Sequence, residues 1–139
     1  MEFGGHVTEE MNKDIGRTSL KIAGSVSANN YVEFSNLSLS GPFLYVQMML
    51  LKANVATLHI EISTLDDKDM RITVSSLYDF PRYLGASIRL PLPKCFSWMI
   101  LALDINGILE NFCSPSSRQT PLIMKSIKVL ICHIFHMHY

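Results

Sequence analysis

The chain has 139 residues, of which 48% are hydrophobic and 17% are charged, and its 12 Lys and Arg residues balance its 12 Asp and Glu residues. This length fits one domain, and the composition is typical of a folded protein and excludes a disordered one. A formal net charge of zero provides no overall field that would attract nucleic acid or an anionic membrane, so a charged partner must meet a local patch.

The opening residues, 1–16, contain glycine and charged residues but no apolar period. We therefore predict a poorly ordered lead-in, followed by an ordered domain over residues 17–139. After the lead-in, short segments of strand character alternate with turn residues. The predicted strands are Ser19–Ala23, Tyr31–Phe34, Phe43–Leu50, Thr57–Ser63, Met70–Ser75, Ala86–Leu92, Trp98–Asp104 and Ser126–Cys132. Strands of this length predict a mainly β fold, an antiparallel β-sandwich.

Residues 58–75 show the clearest alternation and predict a β-hairpin. Successive side chains of a strand face opposite sides of a sheet, so one face is apolar and the other is polar. The residues expected in the core are Leu58, Ile60, Ile62, Met70, Ile72 and Val74. The residues expected to face water are His59, Glu61, Arg71 and Thr73.

A second alternation covers residues 86–92. The residues expected to point inward are Ala86, Ile88, Leu90 and Leu92, and those expected to point outward are Ser87 and Arg89. Pro91 lies within this segment and has no backbone N–H to donate, which indicates an edge strand or a bulge.

The apolar period changes after Asp104. Ile105, Ile108, Leu109 and Phe112 recur at the spacing of a helix, and Asp104 is a suitable N-cap. We predict one short helix over residues 105–112.

The sequence contains no pattern that predicts catalysis, a cofactor or a metal site. Its serines lie in no nucleophile elbow, and its glycines form no phosphate-binding loop. The turn with Asp66, Asp67 and Asp69 lacks the Gly and the closing Glu of a calcium loop. The terminal histidines have no carboxylate or thiolate at a fixed spacing, so we expect adventitious metal affinity at most. These histidines are His133, His136 and His138.

The cysteines and the N-terminus indicate the cytoplasm. Cys95, Cys113 and Cys132 form an odd set without CxxC spacing, which favours free thiols over disulfides or zinc. The N-terminus has no basic start followed by an apolar stretch, as a secretory signal has. The longest apolar stretches, such as residues 96–103, are far shorter than the ~20 residues that cross a bilayer.

Six blocks of the sequence together carry a family resemblance. They are Gly24–Tyr31, Gly41–Val46, Leu58–Ser75, Ser87–Leu92, Trp98–Asp104 and Met124–Val129. In order and spacing they resemble the cilia- and flagella-associated protein 20 domain family, in the version that heads a centriolar WD-repeat protein. The resemblance implies a fold similar to jelly-roll carbohydrate-binding modules. It also implies a non-catalytic structural domain of the cytoskeleton, in a cilium, flagellum or centriole, that binds tubulin and neighbouring axonemal or centriolar proteins.

The chain departs from this family pattern at both ends. Residues 1–16 stand where the family supplies a first strand, and residues 132–139 stand where the family continues into a further strand. We therefore expect a domain that is incomplete at both ends, as in a truncated or alternatively spliced product, with unpaired strand edges.

A contact with the acidic surface of tubulin requires a cationic cluster. The candidate residues are Lys68, Arg71 and Arg89 around the hairpin and the second alternation, and Lys125 and Lys128 in the last strand. The alternative function is a jelly-roll carbohydrate-binding module, in which exposed aromatic rings stack on sugars. The candidates for that role are Tyr78, Phe80 and Tyr83.

Overall fold

The computed structural model describes residues 1–24, 26, 29–51, 55–64, 68–112, 122–132 and 135–138. Over these residues the chain forms twelve strands and one helix. The strands are Glu2–Gly4 (β1), His6–Asn12 (β2), Arg17–Ala23 (β3), Tyr31–Phe34 (β4), Phe43–Leu50 (β5), Val55–Thr64 (β6), Asp69–Ser75 (β7), Arg82–Leu84 (β8), Ser87–Pro91 (β9), Met99–Asp104 (β10), Leu122–Cys132 (β11) and Phe135–His138 (β12). The helix is Ile105–Phe112 (α1).

The strands belong to two sheets. One has seven strands in the order β1-β4-β11-β6-β7-β9-β8, and the other has five in the order β10-β5-β12-β3-β2. Every neighbouring pair among these strands is antiparallel except β7 and β9, which are parallel. The predicted mainly β fold is confirmed, and the parallel pair is an addition that strand spacing did not indicate.

A single apolar core joins the two sheets. Its fully buried side chains come from both, and include Leu20, Ile22 and Met48 of the five-stranded sheet and Val32, Leu58, Ile60, Ile62, Ile72 and Ile88 of the seven-stranded sheet. Fully burying one such side chain stabilises the fold by roughly 1.5–3 kcal/mol. The inward faces of the two sheets therefore pack as a β-sandwich.

The predicted hairpin is formed by β6 and β7. Its inward pairs are Leu58 with Val74, Ile60 with Ile72, and Ile62 with Met70. All are buried except Met70, which is half-buried against the core. Thr73 differs from the prediction, since it is only 3% exposed. Its strand lies inside the sheet, and its hydroxyl is 3.0 Å from Nδ1 of His59, so neighbouring side chains cover it.

The second alternation forms β9, which lies between β7 and β8. Ile88 and Leu92 are buried as predicted. Ala86 is exposed, because it belongs to the turn that precedes the strand. Pro91 lies beyond the last residue that pairs with β8, which is Arg89. β9 is not an edge strand, but Pro91 has no partner on β8. The missing N–H of the proline therefore costs no hydrogen bond between β8 and β9.

The opening residues belong to both sheets, whereas the sequence predicted a poorly ordered lead-in. β1 pairs with β4 in one sheet, and β2 pairs with β3 in the other. Both are edge strands, so few of their side chains reach the core, and Phe3 and Met11 are exposed. Val7 packs against the core. The resulting apolar period is too weak to be recognised in the sequence.

The helix and the last strand complete the sandwich. α1 has the predicted bounds, and the Asp104 carboxylate accepts a hydrogen bond of 2.9 Å from the backbone N–H of Gly107. This is the geometry of the predicted N-cap. Beyond β11 the chain continues into β12, which lies between β3 and β5. A strand therefore follows Cys132, at a place where the sequence predicted none.

Candidate interaction surface

The outward side of the seven-stranded sheet carries a continuous row of polar residues. In register across the sheet, this row contains Glu2, Glu33, Lys128, His59, Thr73, Arg89 and Arg82. The adjacent row contains Ser126, Glu61, Arg71, Ser87 and Leu84. Register partners share one face of a sheet, and the residues between them point into the core. We call this outward side the polar face.

Lys128 is held by two neighbours on β4. Its Nζ donates a hydrogen bond of 2.8 Å to Oε2 of Glu33, and lies 3.8 Å from the centre of the Tyr31 ring. The ring face attracts the ammonium group, and the carboxylate offsets its charge. Both side chains of the ion pair are about one-third exposed or less, so salt screens the pair less than it screens a fully exposed one.

Two further cations of the polar face and its margin are paired with carboxylates. Arg71 donates from Nε to Oε1 of Glu61, and Lys125 donates from Nζ to Oδ1 of Asp69 at 2.9 Å. The hydrogen bond from Lys125 is the main cause of a lowered pKa of the exposed Asp69 carboxyl. Exposed ion pairs contribute only about 0–1 kcal/mol to stability. Their main effect here is to reduce the positive charge available to a partner.

His59 lies near the middle of the polar row and is half-buried. Burial is the first cause of a lowered pKa of its imidazole, and the nearby positive charges of Arg71 and Lys128 lower the pKa further, while Glu61 acts in the opposite direction. The histidine is therefore neutral at pH 7, and its Nδ1 shares a hydrogen bond with the hydroxyl of Thr73.

Arg82 and Arg89 lie at the β8 edge of the polar face and are stacked on aromatic rings. The guanidinium carbon of Arg82 is 4.5 Å from the centre of the Phe80 ring, and that of Arg89 is 5.5 Å from the centre of the Tyr78 ring. The two arginines are register partners on neighbouring strands. Within the described part of the chain, neither has a carboxylate at ion-pair distance.

A shallow pocket of about 210 Å³ opens between these arginines. It is lined by Leu77, Tyr78, Asp79, Phe80, Arg82 and Arg89. Asp79 is exposed, and it is the single carboxylate in this lining. The pocket thus combines two cations, two aromatic rings and one acid at the edge of the sheet.

The five cationic residues predicted from the sequence lie on or beside this one surface. Arg71, Arg89 and Lys128 are on the polar face, and Lys125 is at its margin, bonded to Asp69 at the start of β7. Lys68, the residue before β7, is exposed. The sequence predicted two separate groups, but the pairing of β11 with β6 brings them onto one sheet. Whether they bind a partner stays a prediction.

Arg82 was missed by the sequence analysis, although its neighbours were considered. The feature of the sequence that could have indicated Arg82 is its position in the aromatic segment that contains Tyr78, Phe80 and Tyr83. That segment was interpreted only as a possible sugar platform. The structure places a guanidinium over the rings of Tyr78 and Phe80, so one face of each ring is not available for a pyranose. Tyr83 is exposed and does not line the pocket.

The outward side of the five-stranded sheet has a different character where β5 meets β10. Phe43, Tyr45 and Ile100 are 53%, 66% and 66% exposed. The rings of Phe43 and Tyr45 have their centres 6.4 Å apart. We call these three residues the apolar patch. The sandwich therefore offers one charged and one partly apolar outer surface.

The candidate metal and thiol residues are only partly covered by the structure. No three His, Cys, Asp or Glu side chains are grouped as metal ligands among the residues that the structure describes. His133, Cys113, Asp66 and Asp67 lie outside the described residues, as do the side chains of His136, His138 and Cys132. Cys95 is a free thiol. Its Sγ is 3.1 Å from the Ser97 hydroxyl, and this hydrogen bond lowers the pKa of the thiol.

In the described part of the chain, no helix is long and apolar enough to cross a membrane. The fold and its surface define a β-sandwich domain whose larger sheet presents a charged outer face. The CFA20 domain matches residues 1–134, and the chain belongs to this family. The family predicted from the sequence is thus confirmed. The match starts at residue 1, so it includes the opening segment that the sequence analysis treated as unrelated to the family.

Similar proteins come from algae and vertebrates. Centriole proteome protein 16 of Chlamydomonas reinhardtii is 33% identical over 121 residues, which cover 81% of this chain and 6% of that protein. WD repeat-containing protein 90 of Xenopus tropicalis is 28% identical over 140 residues, covering 79% of this chain and 8% of that protein. The human WD repeat-containing protein 90 is 26% identical over 125 residues, which cover 76% of this chain and 7% of that protein. The chain thus spans less than a tenth of the length of these relatives.

Proposed function

We propose that this chain is a non-catalytic structural domain that binds microtubules in the cytoskeleton of a centriole, cilium or flagellum. The observation that carries the proposal is the polar face, on which four strands of one sheet, β7, β8, β9 and β11, contribute Arg71, Arg82, Arg89 and Lys128. Tubulin presents an acidic surface, and a sheet face that carries several cations is complementary to such a surface in charge.

The cellular setting in this proposal is supported by family membership. The CFA20 domain matches most of the chain, and one relative is named as part of the centriole proteome. Neighbouring proteins of the axoneme or centriole are further partners in the proposal. They have the remaining surface of the sandwich available, including the apolar patch.

Co-sedimentation with microtubules at low and raised salt tests this function. We expect the parent chain to bind at low salt and to lose affinity as salt rises, because exposed charges are screened. A variant with Lys68→Glu, Arg71→Glu and Arg89→Glu should lose most of its binding. A second variant with Lys125→Glu and Lys128→Glu should lose less, since both lysines are paired with carboxylates, whereas the first variant includes Arg89, which has no carboxylate at ion-pair distance among the described residues.

The chain offers a matched control for charge reversal. Lys13, Arg17 and Lys21 belong to the β2–β3 hairpin of the five-stranded sheet. Reversing these three charges changes the net charge by the same amount as reversing Lys68, Arg71 and Arg89, but on the other sheet. Equal loss of binding by the two triple variants would contradict a contact through the polar face. Glycan binding that disappears with Tyr83→Ala would instead favour the carbohydrate-binding function.

A further inference from the structure

We propose that Arg82 and Arg89 form a binding site for the carboxylates of an extended acidic peptide segment. The site lies at the β8 edge of the seven-stranded sheet, with Tyr78 and Phe80 as its aromatic floor. Only the natural source of the peptide depends on the proposed function. The site itself follows from charge, stacking and strand geometry.

Two like charges face each other at this edge, and neither has a carboxylate at ion-pair distance among the described residues. Arg82 and Arg89 are register partners in an antiparallel pair, where Cα atoms are about 4.5–5.5 Å apart. Like charges at such positions destabilise a sheet. Two other cations of this surface have opposite charges as register partners, namely Lys128 with Glu33 and Arg71 with Glu61. Arg82 and Arg89 are paired with each other instead of with a carboxylate, and such a departure from a local rule indicates a candidate functional site.

Both guanidinium groups lie over aromatic rings in the absence of a ligand. Each is stacked on an aromatic ring, at 4.5 Å for Arg82 and 5.5 Å for Arg89. A guanidinium that lies over a ring keeps N–H groups that can donate to a carboxylate. A side chain that is held in this way loses less conformational freedom on binding.

The position of the pocket at the edge of the sheet favours an extended ligand. The pocket is shallow, and β8 is the last strand of its sheet, so the site is open to a chain that runs along the edge. In an extended peptide, side chains on one face recur at about 6.6 Å. An extended segment with acidic residues on one face therefore presents carboxylates repeatedly along this open edge.

Asp79 provides an internal check on the charge of the ligand. Its carboxylate is exposed in the lining of the same pocket, where it repels an anion. Asp79→Asn removes this repulsion and leaves both arginines in place. The affinity for an acidic peptide should then rise, by about twofold to fivefold for a single exposed charge.

The test is the binding of a fluorescent peptide of alternating Glu and Ser to the full chain at low ionic strength, followed by anisotropy. The variant Arg82→Gln with Arg89→Gln should bind about tenfold more weakly, because two exposed charge-assisted contacts are lost. The matched control is Arg71→Gln with Lys128→Gln, which removes the same charge from residues that already have carboxylate partners. It should change the affinity by less than about twofold. Circular dichroism confirms that each variant is folded.

Three results would overturn the proposal. They are equal losses in the two double variants, equal binding of a peptide of alternating Gln and Ser, and complete displacement of the Glu peptide by an equal concentration of inorganic phosphate. Microtubule co-sedimentation is measured in parallel. If the peptide binds at this site and microtubules do not bind, only the proposed function is refuted. If microtubules bind equally well with Arg82→Gln and Arg89→Gln and the peptide does not bind, only this inference is refuted.

Discussion

At the scale of single residues, the polar face shows how burial changes the properties of a charged surface. His59 is enclosed between β7 and β11 and hydrogen-bonds Thr73. Two cations, Arg71 and Lys128, lie close enough to disfavour a positive charge on its ring, and Glu61 offsets them only in part. A histidine at the centre of a cationic surface is therefore kept neutral by its surroundings.

This arrangement predicts that stability depends on the protonation of His59. The folded-state pKa is lowered from the ordinary value of 6.5, so the unfolded chain binds the proton more tightly. The stabilisation is present above the unfolded pKa and is lost as the pH falls through the folded pKa. The free energy of unfolding, measured with urea at pH 7.5 and below pH 6, should fall less in His59→Gln than in the parent. An identical fall in both would show that His59 is not the group responsible.

At the scale of elements, the strands with a buried and regular inward face could be predicted from the sequence. Tyr31–Phe34 and Phe43–Leu50 have the predicted bounds, as does the helix Ile105–Phe112. Their periods are strong because one face of each element contacts the core. The parallel pairing of β7 with β9 could not be predicted, because it depends on the path of the chain through residues 76–86 and not on any local period.

The opening segment was missed because its structure depends on contacts far along the chain. Gly5 is the single residue between β1 in one sheet and β2 in the other, and it has φ +73°. Its missing side chain leaves space for the amide of Asn30, which is buried and donates to the carbonyl of Val26. In the sequence alone, a glycine among charged residues does not indicate this contact with Asn30.

Gly5→Ala should destabilise the domain more than Gly16→Ala. Both glycines have positive φ, at +73° and +65°, which costs an alanine about 1–2 kcal/mol. A Cβ on Gly5 would also overlap the side chain of Asn30, whereas one on Gly16 would meet no atom within 4 Å. The overlap should add roughly 1–3 kcal/mol. Urea unfolding of the two variants measures the difference, and equal values would show that β1 and β2 do not depend on this contact.

At the scale of the whole molecule, the sequence predicted which residues are basic and outward, but not how their charges are compensated. Lys128 and Glu33 are 95 positions apart, and Lys125 and Asp69 are 56 apart. Such pairs form only when β11 takes its place in the sheet beside β4 and β6. The same assembly leaves Arg82 and Arg89 without a carboxylate at ion-pair distance among the described residues. The location of uncompensated charge is therefore a property of the fold.

The proposed contact through the polar face determines how the domain is oriented on a microtubule. Electron cryomicroscopy of microtubules decorated with the chain would show which surface of the sandwich meets tubulin. We predict that the polar face, with Arg71 and Arg89, lies against the microtubule and that the apolar patch of Phe43, Tyr45 and Ile100 points away from it. A reconstruction in which the apolar patch contacts tubulin and the polar face is open to solvent would contradict a contact through the polar face.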